Sequence, residues 1–175
     1  MVVLLLTAGL YAETPGAVWI DVPFVRQPKD GCGAASISMV MEYWAAQQGS
    51  GIGSGSDVAN IQRELYSPKD HGITTTSAQQ YLRRHGFLAF AINGSWSDLE
   101  EHLRTGRPLI AALKPQGQSQ LHYVVIDGID TAHALVTMND PADRKLLTQG
   151  RAEFEKDWGA THNWMLLAVP ARSTR

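Results

Sequence analysis

The chain has 175 residues, 44% of them hydrophobic and 18% charged, with a net charge of −2, which suits one ordinary globular domain with a real core. No basic run is denser than Arg83-Arg84, which argues against a nucleic-acid partner. The single cysteine, Cys32, rules out an intramolecular disulfide and leaves the compartment open.

Residues 2–12 form an apolar run followed by the polar segment Glu13-Thr-Pro-Gly16. The run is too short to span a bilayer. Its length and flanks, with Ala12 near a cleavage position, predict a secretory signal, although the basic stretch that normally opens one is missing. We therefore expect a signal and linker over 1–16, export to the periplasm or medium, and no stable membrane span after signal removal. The competing reading is a buried N-terminal strand in a cytoplasmic protein. Trp19-Ile-Asp-Val-Pro-Phe-Val25 alternates and is β-rich, but Pro23 makes it an edge strand at best, leading into a loop at Gln27.

The longest apolar helical run extends from Ala34 to Gln48, contains no Gly or Pro, and stops at Gly49. Cys32 stands at its mouth. A thiol there feels free N–H groups and the positive end of the helix dipole, and both favour thiolate. Gln27, five residues upstream, could fold back beside the sulfur and join the Cys32 N–H in donating to a developing oxyanion. Gly31 and Gly33 would leave room for a substrate backbone. The alternative is that Cys32 is a small buried hydrophobe, as most free cysteines are.

Gly49–Ser56 holds four glycines but lacks the preceding strand and the Lys-Ser/Thr pair of a phosphate-binding loop, so it reads as a flexible connection. Ser56 is the expected N-cap of a helix over Asp57–Tyr66, closed by Pro68. A further helix over Ser77–His85 starts in the run Thr74-Thr-Thr76 and stops at Gly86. The remaining pattern is mostly strand: Phe87–Ile92, Pro108–Leu113, Tyr123–Ile126, Ala134–Met138 and Asn163–Val169. A helix opened by a capping box at Ser97-Asp-Leu-Glu100 interrupts it, as does a charged segment around Phe154 and Trp158. Helices in the first half and strands in the second predict an α+β fold, a helical lobe on a mostly antiparallel sheet, in one domain over 17–170 with a tail at 171–175.

If Tyr123–Ile129 and Ala134–Asn139 form a hairpin turning near Thr131, His122 and Asp140 each lie nine residues from the turn and face each other across the strands. A carboxylate beside an imidazole fixes its tautomer and favours imidazolium, and imidazolium beside a thiol favours thiolate. Cys32, His122 and Asp140 can then act as nucleophile, general base and acid, and orienting group. Taken singly, a histidine at a strand start is more often a rim residue, and Asn139-Asp-Pro141 more often a turn. His71, His85, His102, His133 and His162 lack such company, and no His or Cys pair has metal-ligand spacing. Asp127 and Asp130 lack the facing partner that glycoside chemistry needs.

These segments resemble the papain-like peptidases related to bacterial double-glycine leader peptidases, in their free-standing exported form. The resemblance rests on Val22-Pro-Phe-Val-Arg-Gln27, Asp30-Gly-Cys-Gly-Ala-Ala35 with the Met-rich helix behind it, Leu121-His-Tyr-Val-Val125, Asn139-Asp-Pro141, and Phe154 with Trp158 before a last strand. It implies a papain-like fold, a peptide or protein substrate, and no cofactor or metal. It also implies Cys32 as nucleophile, His122 as base, Asp140 as third member and Gln27 as oxyanion-hole donor. Ala34 stands where many relatives have Pro, a harmless change at a helix start. Two other readings remain on the same scaffold: an acyl transferase, and a non-catalytic peptide-binding module.

Overall fold

The computed structural model describes residues 16–48 and 55–171. The expected signal at 2–12, most of the glycine-rich connection and the end of the C-terminal tail lie outside the described residues.

Helix α1 (Cys32–Gln48) begins at the cysteine itself, as expected for a helix starting at or just after it, and is buried continuously from Gly33 to Met41. It can be apolar nearly all round because other elements cover it on most sides. Its two buried serines differ: Ser38 Oγ donates to the Ser56 carbonyl at 2.6 Å, while Ser36 Oγ has no partner among the described residues. That bond engages Ser56 elsewhere, and the N-cap of α2 (Val58–Leu65) is Asp57, whose carboxylate accepts the Asn60 N–H at 2.8 Å. Helix α3 (Thr75–Arg84) is capped by Thr74. Helix α4 (Trp96–Arg104) has its capping box on Ser95 and Asp98 rather than on Ser97 and Glu100. Helix α5 (Arg151–Gly159) occupies the charged segment and buries Phe154 and Trp158, one turn apart on one face.

The strands are β1 (Val18–Trp19), β2 (Phe87–Asn93), β3 (Leu109–Leu113), β4 (His122–Asp130), β5 (Leu135–Asn139), β6 (Leu147–Gly150) and β7 (Trp164–Pro170). They form one antiparallel sheet in the order β2-β7-β3-β4-β5-β6, with β1 pairing the far end of β4. Strand alternation divides the core between the two faces. Ile110, Val125 and Leu166 pack with Ile37, Val40, Tyr81 and Leu82 of α1 and α3, whereas Leu109, Val124, Ile126 and Leu167 pack with Leu99, Leu103, Phe154 and Trp158 of α4 and α5. The fold is α+β as expected, with helices on both faces of the sheet.

Of the expected strand Trp19–Val25 only Trp19 is paired. Beyond it Pro23 removes an N–H, and residues 20–31 run as an irregular strap to α1. The β4–β5 hairpin is real, but its pairs close at Asp130 and Leu135, and the register shifts by one between Ile126 and Gly128. Asp127 is the extra residue of that bulge.

Candidate active site

The loop before α1 turns sharply at Asp30, a non-glycine residue at φ 54°, and closes with the Gly31 N–H donating to the Pro28 carbonyl at 3.0 Å. Gly31 is needed for that turn, since a Cβ there would sit 2.5 Å from Pro28 Cγ. The space beside it is taken by protein. Gly33 is buried against Ile73 and Tyr123. Between them Cys32 enters the helix, half-buried, with the backbone N–H of Gly33 among the groups that favour its anionic form.

His122 opens β4 opposite Leu113 of β3. Its Nε2 lies 2.7 Å from Asp140 Oδ1, which leaves Nδ1 as the ring nitrogen available to the thiol. The expected face-to-face placement needs correction. Asn139, the last paired residue of β5, stands opposite Val125, so Asp140 continues the register beside Val124 and reaches His122 on the diagonal. The turn is centred between Ala132 and His133 rather than at Thr131, which moves the register away from a direct His122–Asp140 pairing, and the extra residue at Asp127 restores only one position of it. Asp140 is fixed from several sides: its Oδ1 also accepts the Ala142 N–H at 2.8 Å, and its own N–H donates to the Arg144 carbonyl at 3.0 Å.

The electrostatics of the three groups are coupled. Burial would raise the Cys32 thiol, but the hydrogen bond and charge of His122, with the N–H groups of Tyr123 and Gly33, outweigh it and hold the thiol below its ordinary value. Burial would likewise lower His122, yet hydrogen bonds to Asp140 and Cys32 and their negative charge push it up to about 9. Asp140 is depressed despite its own burial, by the His122 hydrogen bond and charge and by the N–H groups of Ala142 and Asp143. All three shifts favour thiolate, imidazolium and carboxylate together.

Gln27 is carried by the strap and anchored by its N–H to the Pro141 carbonyl at 3.0 Å. Its side-chain oxygen is buried without a partner among the described residues. A cleft of about 460 Å³ opens on Cys32, walled by Asp70, His71, Gly72 and Ile73 on one side and by Leu121 and Tyr123 on the other. Leu121 and Tyr123 also border a second depression of about 300 Å³ that runs on to Thr161 and Trp164. Sequence reasoning missed these wall residues. The only local signal was the exposed apolar Leu121 beside His122. Among the described residues no group of three or more His, Cys, Asp or Glu side chains is placed to hold a metal ion, and no helix is long and apolar enough to cross a membrane.

No curated protein matches the chain. Solved structures do. A putative C39-like peptidase from Bacillus anthracis superposes with a TM-score of 0.71 at 17% identity, over 90% of this chain and 99% of its own. The peptidase domain of ComA, a Streptococcus ABC transporter involved in quorum sensing, gives a TM-score of 0.66 at 20% identity, over 86% of this chain and 99% of that domain. A double-glycine-motif protease from an AMS/PCAT transporter, in complex with its leader peptide, gives 0.64 at 20% identity, over 88% of this chain and 95% of its own. At these identities the likeness concerns the fold. The sequence itself matches the model of the Peptidase_C39-like family over residues 19–165, from the strap through Cys32, His122 and Asp140 to the start of β7, and the chain therefore belongs to that family.

Proposed function

We propose that the protein is a cysteine peptidase in which Cys32 is the nucleophile, His122 the general base and acid, Asp140 the group that orients the imidazole, and Gln27 an oxyanion donor. The observation that carries this reading is the His122–Asp140 bond of 2.7 Å set beside a thiol at a helix N-terminus in an open cleft. The Cys32 thiolate attacks the scissile carbonyl carbon. The oxyanion that forms is met by the Cys32 N–H and the Gln27 side-chain amide, and imidazolium gives its proton to the departing amine. Water then attacks the thioester, His122 takes its proton, and the carboxylic acid leaves as the thiolate returns.

A peptide or protein is the substrate class, a reading supported by the leader peptide held by the transporter-derived neighbour. The test is incubation with a defined peptide mixture and mass-spectrometric mapping of new termini. Wild type should produce them. Cys32→Ser, nearly isosteric, should produce none while keeping its unfolding midpoint; cleavage by the Ser variant at the wild-type rate would overturn the proposal. Export belongs to the same proposal. Mature protein from the producing cell should begin after about Ala12, and an intact Met1 terminus would contradict it.

A further inference from the structure

The strap that carries Gln27 is bound to the segment that carries Asp140 along most of its length. Asp21 receives the Lys145 ammonium at 2.6 Å, Val22 the Asn139 side-chain amide at 3.1 Å, and the Gln27 N–H reaches the Pro141 carbonyl at 3.0 Å. Arg26 adds a fork: Nη2 to the Asp143 carbonyl at 3.0 Å and Nη1 to the Ala142 carbonyl at 3.4 Å. Each of these contacts joins residues 21–27 to residues 139–145. The two segments are far apart in sequence, and each contributes one group to the proposed site.

The contacts are unequal. Those of Arg26 and of the Lys145–Asp21 pair are exposed, where such interactions contribute little. Asn139 is wholly buried. Its Nδ2 donates to the Val22 carbonyl and its Oδ1 accepts the Leu146 N–H at 3.0 Å. One partner can only accept and the other can only donate, so the amide has a single satisfactory orientation. Leu146 is held at φ 56°, a conformation a leucine adopts only when its surroundings impose it. Asn139 thus pins the loop behind Asp140 at one end and the strap ahead of Gln27 at the other.

We propose that Asn139 is a positioning residue of the active site: its buried carboxamide locks the strap to the β5–β6 connection, so that Gln27 and Asp140 keep one fixed separation around Cys32 and His122. The proposal rests on the cysteine-peptidase reading above. Without the lock, the Val22 carbonyl is left buried and unpaired, the strap and the loop relax independently, and Asp140 moves relative to His122 Nε2. A displacement on the order of 1 Å in such a group lowers turnover by roughly 10²-fold. The imidazolium also loses its carboxylate partner. The alkaline limb of kcat/KM then falls from near His122's value of about 9, and the pH at which the thiolate forms rises because it loses its cation.

The test compares wild type with Asn139→Ala, Asn139→Asp, Arg26→Ala and Tyr43→Phe, well below each unfolding midpoint. Cys32 alkylation by iodoacetamide is followed from pH 4 to 10, with turnover of any peptide the wild type cleaves. Asn139→Ala and Asn139→Asp should show an alkylation profile displaced to higher pH and a kcat lower by roughly 10²-fold with little change in KM. Arg26→Ala, which removes an exposed tie and folds, should shift both in the same direction but less. Tyr43→Phe loses a 2.8 Å bond to the Gly106 carbonyl, toward the end of α1 remote from Cys32; it should lower the midpoint and leave the profile in place. Asn139 variants that lower only the midpoint, with wild-type profile and kcat, would reduce Asn139 to a structural residue. If those variants do not fold, the milder Asn139→Ser, whose hydroxyl cannot serve the Val22 carbonyl and the Leu146 N–H together, carries the test, and a wild-type profile and kcat in that variant overturn the positioning role in the same way. A wild-type profile like that of free cysteine would overturn the peptidase reading itself and this inference with it.

Discussion

Asp127 should make the stability of this protein depend on pH in one specific direction. Its side chain is wholly buried at the β4 bulge, both carboxylate oxygens lack partners among the described residues, and burial pushes it up to about 7, against the opposing charge of Lys145. Asp21, paired with Lys145, adds to the rise. An acid held protonated in the native state has a folded value above its unfolded one, so the folded protein binds the extra proton. Its destabilising effect is absent below pH 3.8, grows as pH rises, and is complete near pH 7. At ~1.4 kcal/mol per pH unit, the interval from 3.8 to about 7 amounts to roughly 4 kcal/mol. Asp127→Asn keeps the size and removes the charge, so its stability relative to wild type should improve from about pH 4 to pH 7 by up to that amount and then level off. Urea unfolding at half-unit intervals from pH 4 to 8.5 reads the difference directly, and other titrating groups cancel between the two proteins. A difference that stays constant with pH would show that Asp127 titrates normally and that burial does not perturb it.

Gln27→Ala removes the proposed oxyanion donor and should lower kcat by roughly 10²-fold or more; an effect confined to KM would make Gln27 a substrate-binding residue instead. Asp140→Ala should lower the alkaline limb of kcat/KM from near His122's value of about 9, because the hydrogen bond that raises the imidazole is gone. Asp140→Asn should retain part of the activity, since its amide oxygen still accepts the Nε2 proton, and equal profiles for wild type and the Ala variant would exclude Asp140 from the site. Phe154→Ala should destabilise by about 3–5 kcal/mol in chemical unfolding, as expected for a fully buried aromatic, and a change below 1 kcal/mol would mean that α5 is not part of the core.

Much of the fold was legible because its signals are local. The unbroken apolar run behind Cys32, the strand at β3 and the helix stop at Gly86 each follow from a few adjacent residues. Caps were misplaced where neighbours compete: Ser56 and Asp57, or Ser95 and Ser97, are equally good capping residues, and only the path of the backbone decides between them. Helix α5 offered two apolar residues, Phe154 and Trp158, among charged ones, a stripe too thin to separate helix from loop until the sheet is there to cover it. Strand β6 is a half-exposed edge with little to bury. The nearness of His122 to Asp140 could be inferred from the hairpin, but not its diagonal geometry, because the exact centre of the turn leaves no mark in composition. The cleft walls, Asp70–Ile73 against Leu121 and Tyr123, come from segments about 50 residues apart, and no local pattern connects them.

The proposed catalysis depends first on the ionisation of one thiol. Alkylation of Cys32 by iodoacetamide, followed from pH 4 to 10 in native and in urea-unfolded protein, measures it with no knowledge of the substrate. A thiolate paired with His122 should react rapidly below pH 7 in the native protein and only at the alkaline pH of an ordinary thiol once unfolded. If both samples follow the same curve, with half-reaction near the pH of free cysteine, Cys32 is not activated and the site has no nucleophile.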